Sequence, residues 1–252
     1  HNFMVDKKDI LCNNNGESNS NCLEKKETFE DMNLKHDLLR GIYGYGFNNP
    51  SEIQQSAILP IVKGRDVIAQ AQSGSGKTGA FTIGSLERIN PSILEVQVLI
   101  LSPTRELANQ TFDVFRYLGE HMKVKILNLT GGSSSRDCKN SLKEGVHVVV
   151  GSPGRVIQML DEKFLKLSYL QNLILDEADD LLSRGFLENM KKIISLIPEE
   201  TRIGLFSATM PKEIVELTSN FLNEPAKILI KEEEVKVEAI KQYYISVKKE
   251  WK

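Results

Sequence analysis

The sequence predicts an α/β fold, a doubly wound parallel sheet with helices on both faces. From residue 66 onward, short apolar runs alternate with segments of helical periodicity, which is the order of a sheet built from strand–helix units. Several runs are apolar throughout, as expected for strands covered on both faces. Polar or glycine-containing segments follow most of the runs, and such sheets bind ligands at the carboxyl ends of their strands.

The predicted elements begin after a polar N-terminal tail. Residues 1–27 include an asparagine- and serine-rich tract with too few apolar side chains to fold, so we expect a disordered tail there. Leucines and an isoleucine at helical spacing between 34 and 42 predict a first helix, and Pro50-Ser51 opens a second.

The remaining elements follow from hydrophobic periodicity and run length. The predicted strands are Asp66–Ala71, Val96–Ser102, Val124–Thr130, His147–Gly151, Leu173–Asp176, Ile203–Phe206 and Lys227–Ile230. The predicted helices are Thr78–Arg88, Arg105–His121, Arg136–Lys143, Gly154–Leu160, Ala178–Ile197 and Lys212–Leu222.

A glycine-rich loop, Ala71–Thr78, separates the first strand from its helix and is predicted to bind phosphate. The backbone N–H groups of Ser73, Gly74, Ser75 and Gly76 can turn inward, and the helix N-terminus adds the positive end of its dipole. Lys77 can reach the outer phosphates, and the Thr78 hydroxyl can ligate Mg²⁺. Ala71 stands where the general pattern has glycine, and a simple turn before a helix is the alternative.

Two acidic residues, Asp176 and Glu177, end another apolar run. An acid in this position is suited to hold the Mg²⁺ of a nucleoside triphosphate, and its neighbour can orient or deprotonate the attacking water. The alternative is the acidic first turn of a helix.

Gln54 and an aromatic residue form a candidate base-recognition site near the second helix. A glutamine amide offers one acceptor and two donors, so it can read two edge atoms of adenine. Phe47 or Phe29 could cover the face of the base. Packing and surface roles are the alternative for these residues.

Composition constrains the class of protein and its partners. The 252 residues are 40% hydrophobic and 26% charged, as in ordinary globular proteins, and their net charge of −2 gives no global basic field. No apolar run has the length of a membrane span, and no signal peptide is visible, so we expect an intracellular protein. The three cysteines are too scattered for a zinc site or a disulfide framework.

Together these segments resemble the DEAD-box RNA helicases, from about Thr28 to the end of the sequence. The motifs that carry the resemblance are Ala71–Thr78, Pro103–Leu107, Gly131-Gly132, Ser152–Arg155, Asp176–Asp179 and Ser207–Thr209, preceded by a segment around Phe47 and Gln54 that is similar to the family's adenine-reading motif. The resemblance implies a RecA-like ATP-binding domain over 28–233. It also implies that 234–252 is a linker and the first strand of a second RecA-like domain that supplies further ATP-site arginines.

The resemblance also implies a role for each matching residue. Gln54 would select the adenine of ATP beside Phe47, and Lys77, Asp176 and Glu177 would be catalytic, with Thr78 and Asp176 near Mg²⁺. Eight residues would lie along a sequence-independent RNA backbone path: Pro103, Thr104, Arg105, Gly131, Gly132, Pro153, Gly154 and Arg155. Asp179, Ser207 and Thr209 would couple nucleotide state to RNA binding. Without the second domain, the chain is expected to bind ATP weakly and to hydrolyse it negligibly.

Within the family, three segments resemble the translation initiation factor 4A group and its exon-junction relatives: Asn33–Tyr43, Ala69–Gly74 and Leu182–Phe186. Ser152, in place of the more usual threonine, and Arg136-Asp137-Cys138 depart from the pattern. The resemblance implies an ATP-driven RNA helicase of translation initiation, monomeric and cytoplasmic, with scaffold or regulatory partners. A nuclear, ATP-gated RNA clamp is the alternative, and a P-loop NTPase that does not act on nucleic acid is a more distant one.

Overall fold

The computed structural model describes residues 25–132 and 134–230. Most of the predicted tail, with Cys12 and Cys22, and the whole predicted linker over 234–252 lie outside the described residues.

The seven strands form one parallel sheet, which confirms the predicted fold class. They are β1 Val67–Gln70, β2 Val98–Leu101, β3 Ile126–Leu129, β4 Val148–Gly151, β5 Asn172–Leu175, β6 Arg202–Ser207 and β7 Ala226–Leu229. Their order across the sheet is β3-β4-β2-β5-β6-β1-β7, and every pairing is parallel. All the carboxyl ends therefore lie at one edge of the sheet, here called the carboxyl edge, and all the amino ends lie at the opposite, amino edge.

Nine α-helices connect or flank the strands in the described part of the chain, after a short 3₁₀ helix at Glu30–Met32. They are α1 His36–Tyr45, α2 Glu52–Val62, α3 Lys77–Arg88, α4 Arg105–Leu118, α5 Ser135–Glu144, α6 Pro153–Asp161, α7 Ala178–Ser183, α8 Leu187–Ile194 and α9 Lys212–Phe221.

The single helix predicted over 178–197 is wrong, because α7 and α8 are separate. Gly185 adopts a left-handed backbone conformation with φ of 79°. The Phe186 N–H donates to the carbonyl of Leu181 at 3.1 Å, and the Gly185 N–H donates to that of Leu182 at 2.9 Å. This pair of bonds is a Schellman motif, which closes a helix at a glycine.

Apolar side chains cover both faces of the sheet. One cluster, which includes Val67, Ile174 and Phe206, packs against α1–α4, and the other, which includes Leu99 and Leu173, packs against helices on the opposite face. Phe29 is fully buried in the first cluster, edge-on to Tyr43. The expectation that Phe29 could cover a base is therefore not met, since its ring is packed inside the protein. None of the described helices is long and apolar enough to cross a membrane.

Candidate functional site

The strand order divides the predicted site segments into two neighbouring groups at the carboxyl edge. The adjacent strands β5, β6 and β1 end in Asp176–Asp179, Ser207–Thr209 and the glycine-rich loop, and we call these segments the P-loop patch. The adjacent strands β3, β4 and β2 end in Gly131-Gly132, Pro153–Arg155 and Pro103–Arg105, which we call the outer patch. Because β2 and β5 are neighbours, the two patches are continuous.

Two glycines shape the loop of the P-loop patch. Gly74 and Gly76 have φ of 82° and 100°, values that side chains other than glycine rarely adopt. α3 begins directly after Gly76, so its unpaired N–H groups face the loop. At the other end of the loop, the Ala71 N–H donates to the carbonyl of Ser207 at 3.0 Å, which anchors the loop to β6.

Lys77 links this loop to the acidic segment after β5. Its side chain is only 4% exposed, and its Nζ lies 2.8 Å from the Ala71 carbonyl oxygen and 3.1 Å from Oε1 of Glu177. Glu177 itself has φ of 45° and ψ of 58°, a left-handed conformation that is uncommon outside glycine. The ammonium group therefore points into the space where the loop's N–H groups and the acids converge.

Asp176 is a buried carboxyl group whose negative charge is poorly compensated. Burial and the adjacent charge of Glu177 raise the pKa of Asp176 from 3.8 to about 7, while Lys77 and a hydrogen bond from Thr111 oppose the rise. A buried carboxylate in this condition gains stability from a nearby cation.

The donor set near Asp176 fits a magnesium ion only if phosphate supplies further ligands. The described residues include no cluster of three or more His, Cys, Asp or Glu side chains that could hold a metal alone. Magnesium in nucleotide sites is usually held by one or two protein groups, phosphate oxygens and water. Asp176 and Thr78 are compatible with that arrangement.

Asp179 connects α7 to the end of β6. Its carboxylate Oδ2 accepts hydrogen bonds from Thr209 Oγ1 at 2.8 Å and from the Thr209 N–H at 3.0 Å, and its N–H donates to Ser207 Oγ at 3.1 Å. Partial burial would raise the pKa of Asp179, but hydrogen bonds from Thr209 and Ser207 outweigh it and lower that pKa. The three residues predicted to couple nucleotide and RNA thus contact each other directly.

Gln54 lies against the P-loop but its amide already has protein partners. Its Oε1 accepts from the Ser51 N–H at 2.9 Å, as part of the N-terminal cap of α2, and its Nε2 donates to the Gly76 carbonyl at 3.3 Å. Each amide atom keeps one further hydrogen-bonding position. Phe47 lies beside it: a Cβ added at Gly79 would be 2.5 Å from Gln54 Nε2 and 3.0 Å from the Phe47 ring.

The outer patch presents two helix N-termini and an exposed arginine. α4 begins at Arg105 after the Thr104 cap, whose Oγ1 accepts from the Leu107 N–H at 3.1 Å, and α6 begins at Pro153. The Arg105 guanidinium lies directly over Gly132, where a Cβ would be 2.5 Å from Nη1. Helix N-termini, a glycine backbone and a guanidinium are all groups that contact phosphates.

An open cleft of about 440 Å³ lies next to both patches. Its lining residues are Ser73, Leu107, Glu177, Asp179, Asp180 and Ser183. Ser73 and Glu177 belong to the P-loop patch, whereas Leu107 is in the first turn of α4, beside the outer patch. A ligand in this cleft would therefore contact residues of the P-loop patch and α4 together.

Three residues that were not predicted as site residues support the site. Thr111, on α4 and 2% exposed, hydrogen-bonds Asp176. Gln70 donates through Nε2 to the Ala208 carbonyl at 3.2 Å, which ties β1 to the segment after β6. Ser51 forms the α2 cap with Gln54. Only Ser51 had a usable sequence signal, the spacing of a capping box, since the other two depend on contacts distant in sequence.

Comparison with known proteins gives consistent matches. A family model described as DEAD/DEAH box helicase matches residues 51–217. The ATP-dependent RNA helicase eIF4A of Neurospora crassa is 50% identical over 238 residues, covering 94% of this chain and 60% of that protein. Eukaryotic initiation factor 4A of Drosophila melanogaster is 51% identical over 230 residues, covering 91% of this chain and 57% of that protein. The chain thus spans about 60% of the length of the curated relatives it matches.

Solved structures show the same fold. A DEAD box protein from Methanococcus jannaschii superposes with a TM-score of 0.79 at 35% identity, covering 82% of this chain and 57% of that chain. A Saccharomyces cerevisiae dbp5 variant bound to a gle1 variant and ip6 superposes with a TM-score of 0.77 at 31% identity, covering 82% of this chain and 53% of that chain.

Proposed function

This chain belongs to the DEAD/DEAH box helicase family, and we propose that it forms the ATP-binding part, and one side of the RNA path, of an ATP-dependent RNA helicase that acts in translation initiation. The observation that carries the proposal is the buried contact of Lys77 with Glu177 at the same sheet edge as the outer patch. The relatives from Neurospora crassa and Drosophila melanogaster are both initiation factor 4A proteins by name, which supports the translation role over the exon-junction alternative.

ATP binding is proposed to rest on the loop and on Gln54. The N–H groups of 73–76 and the N-terminus of α3 hold the phosphates, and Lys77 exchanges its contact with Glu177 for the outer phosphates. Gln54 uses its remaining donor and acceptor positions on adenine, and Phe47 lies beside the base. Release from Lys77 leaves Glu177 able to orient and deprotonate the water that attacks the terminal phosphate.

Thr78 and Asp176 are proposed to hold Mg²⁺ together with the phosphates. When bound, the ion neutralises charge that develops on the phosphate oxygens. The raised pKa of Asp176 is consistent with this role, since a bound cation would favour its ionised form.

RNA binding is proposed for the outer patch, where backbone groups and arginines can contact phosphates without reading bases. Arg105 and Arg155 supply charge that the chain as a whole lacks. The Asp179, Ser207 and Thr209 contacts, near the boundary between the patches, are proposed to carry nucleotide-dependent change to the RNA. For the whole protein we propose a cytoplasmic monomer with scaffold or regulatory protein partners.

Binding of ATP to the chain tests the phosphate site of this proposal. Fluorescence titration should show ATP binding that the Lys77→Ala variant weakens at least about tenfold, because a charge-assisted phosphate contact is lost. Lys191→Ala is the matched control, since Lys191 is an exposed lysine on α8 paired with Glu188. Equal ATP affinity in both variants would refute the assignment of the phosphate site.

A second measurement separates an initiation helicase from an ATP-gated RNA clamp. Multiple-turnover unwinding of a short RNA duplex by the whole protein is expected for an initiation helicase. Long-lived retention on RNA without unwinding would instead favour the clamp.

A further inference from the structure

The amino edge of the sheet, opposite to the P-loop patch, carries a row of polar residues across three strands. Asn172 of β5 pairs in register with Arg202 of β6, and Val67 of β1 pairs with Gly204 of β6. Arg65 lies two residues before β1, and its side chain lines the same narrow cleft as Arg202 and Asn172. Asn172 and Arg202 project from the same face of the sheet, because residues in register on neighbouring parallel strands share a face.

A third arginine reaches this row from the last turn of α3. Arg88 donates through Nη1 to Oδ1 of Asn172, whose Nδ2 donates in turn to Ser85 Oγ at 3.3 Å. Burial, and then the positive charge of Arg202, lower the pKa of Arg88. The guanidinium group is thus held in a fixed position close to another cation.

Within residues 25–132 and 134–230, none of the three arginines forms an ion pair with an acidic side chain. Arg65 donates instead to a carbonyl, that of Glu224 at 3.4 Å. Asp66 is adjacent in sequence, and its carboxylate oxygens accept backbone N–H groups, those of Ile203 at 2.8 Å and Asn223 at 2.7 Å. Partly buried charges are normally paired, so three neighbouring arginines without an ion pair are uncommon.

A narrow cleft lies beside the arginines and is lined by Arg65, Arg202, Asn172 and Gly204 among others. Ile174 packs directly against Gly204, where a Cβ would be 2.7 Å from Ile174 Cδ1. This cleft is too narrow to admit a water molecule. Arg65, Arg88 and Arg202 are all partly exposed, so a small ligand would reach their side chains from solvent.

We infer that Arg65, Arg88 and Arg202 form a binding site for a small oxyanion, a phosphate group or a carboxylate, at the amino edge of the sheet. Planar guanidinium groups bind both anions through paired N–H donors. The site is separate from the P-loop patch, which lies at the other end of the same strands, and it does not depend on the proposed helicase function.

Isothermal titration of the chain with sodium phosphate tests the inference, against sodium chloride at matched ionic strength. The Lys77→Ala background removes the main phosphate ligand at the carboxyl edge, and Arg202→Gln is then added to it. We expect phosphate to bind the background variant and Arg202→Gln to weaken that binding at least about tenfold, as for loss of a charged hydrogen-bond donor. Arg116→Gln, an exposed arginine paired with Asp113, is the matched control and should leave binding unchanged.

Sodium acetate, titrated in the same way, separates the two ligand sources. Tighter binding of phosphate than of acetate would identify a phosphoryl ligand, and tighter binding of acetate would identify a carboxylate, such as an acidic side chain. If the Lys77→Ala background does not fold, Arg202→Gln is introduced alone. The number of phosphate ions bound per chain should then be lower by one than in the unsubstituted chain. Binding of neither anion, or equal binding with and without Arg202→Gln, would overturn the inference.

Discussion

The contact between Lys77 and Glu177 joins residues that are 100 positions apart in sequence. It holds a buried ammonium group against a carboxylate whose backbone is in a left-handed conformation. Such conformations cost on the order of 1–3 kcal/mol and persist where the surrounding structure enforces them. Two adjacent residues of the site therefore destabilise the folded chain, Glu177 through backbone strain and Asp176 through its poorly compensated charge.

Asp176→Asn should stabilise the nucleotide-free chain at pH 8 and leave its stability nearly unchanged at about pH 3. The folded pKa of about 7 exceeds the ordinary value of 3.8, so both states are protonated at low pH. As pH rises between these values, the unfolded carboxyl group ionises first and stability falls. Removing the ionisable group abolishes that loss, which is at most about 4 kcal/mol. Chemical denaturation in EDTA at both pH values measures it.

Asp179→Asn is the contrasting variant, because the folded pKa of Asp179 is lowered. Its ionised form contributes stability above its ordinary pKa, and this contribution is lost as pH falls through the folded pKa. The variant should therefore be destabilised at pH 8. Stabilisation by Asp179→Asn, or destabilisation by Asp176→Asn at pH 8, would contradict these environments.

Gln54→Ala should weaken binding of ATP more than binding of GTP, because only adenine presents the edge that the amide can read. The same change removes the α2 cap and should lower stability by about 1 kcal/mol. Ser51→Ala is the control at the same helix end, since it removes the buried Ser51 hydroxyl and keeps both the Gln54 amide and its bond from the Ser51 N–H. Competition titrations with both nucleotides give the ratio of the ATP affinity to the GTP affinity. If this ratio were unchanged in Gln54→Ala, base recognition by Gln54 would be excluded.

Among the secondary-structure elements, α1 shows how one helix depends on close packing. Gly41 is buried against α4, and a Cβ there would be 2.0 Å from the Leu118 carbonyl oxygen. Gly44, one turn further along the same helix, has no atom within 4 Å of such a Cβ. The first glycine is needed for contact between two helices, whereas the second only weakens its own helix.

Alanine at these two positions should change stability in opposite directions. Gly44→Ala should stabilise the chain by about 0.5–1 kcal/mol through helix propensity. Gly41→Ala has the same propensity gain but forces α1 away from a backbone atom, and should cost about 1–3 kcal/mol as overpacking does. Thermal unfolding of the pair provides the comparison, and equal shifts would mean that α1 and α4 are not packed this closely.

Across the molecule as a whole, strand order assigns the two patches to separate groups of strands. The loop after β1 lies beside the ends of β6 and β5, while the ends of β2, β4 and β3 are grouped on the other side. A substitution in the P-loop patch should therefore weaken ATP binding first, and a substitution in the outer patch should weaken RNA binding first. The Asp179 contacts, which join α7 to the end of β6, are the proposed route by which one ligand alters the other.

Arg105→Ala should weaken RNA binding to a similar extent for all sequences, without weakening ATP binding in the absence of RNA. Loss of one phosphate contact should also reduce the slope of log affinity against log salt by about 1. Arg116→Ala, at the far end of the same helix and stacked on Tyr117, is the control. Titrations of two unrelated single strands at several salt concentrations measure both quantities, and a sequence-dependent loss would indicate base contacts instead.

The fold class, the family and the approximate position of each strand can be predicted from the amino-acid order alone. Continuous apolar runs specify buried parallel strands, and a loop such as Ala71–Thr78 combines glycine backbone freedom with a lysine in a pattern that few other functions require. The break between α7 and α8 was missed although Gly185 marks it, because helical periodicity continues on both sides of the glycine.

Which groups meet depends instead on tertiary packing. Sequence order does not specify that β5, β6 and β1 are adjacent, so the contact of Lys77 with Glu177 could not be predicted from it. The hydrogen bonds of Asp179 with Ser207 and Thr209 were implied only by the family resemblance. Burial of Phe29 and the raised pKa of Asp176 likewise arise from neighbours distant in sequence. The same holds for Arg65, Arg88 and Arg202, which are brought close to Asn172 only by the packing of α3 and of strands distant in sequence.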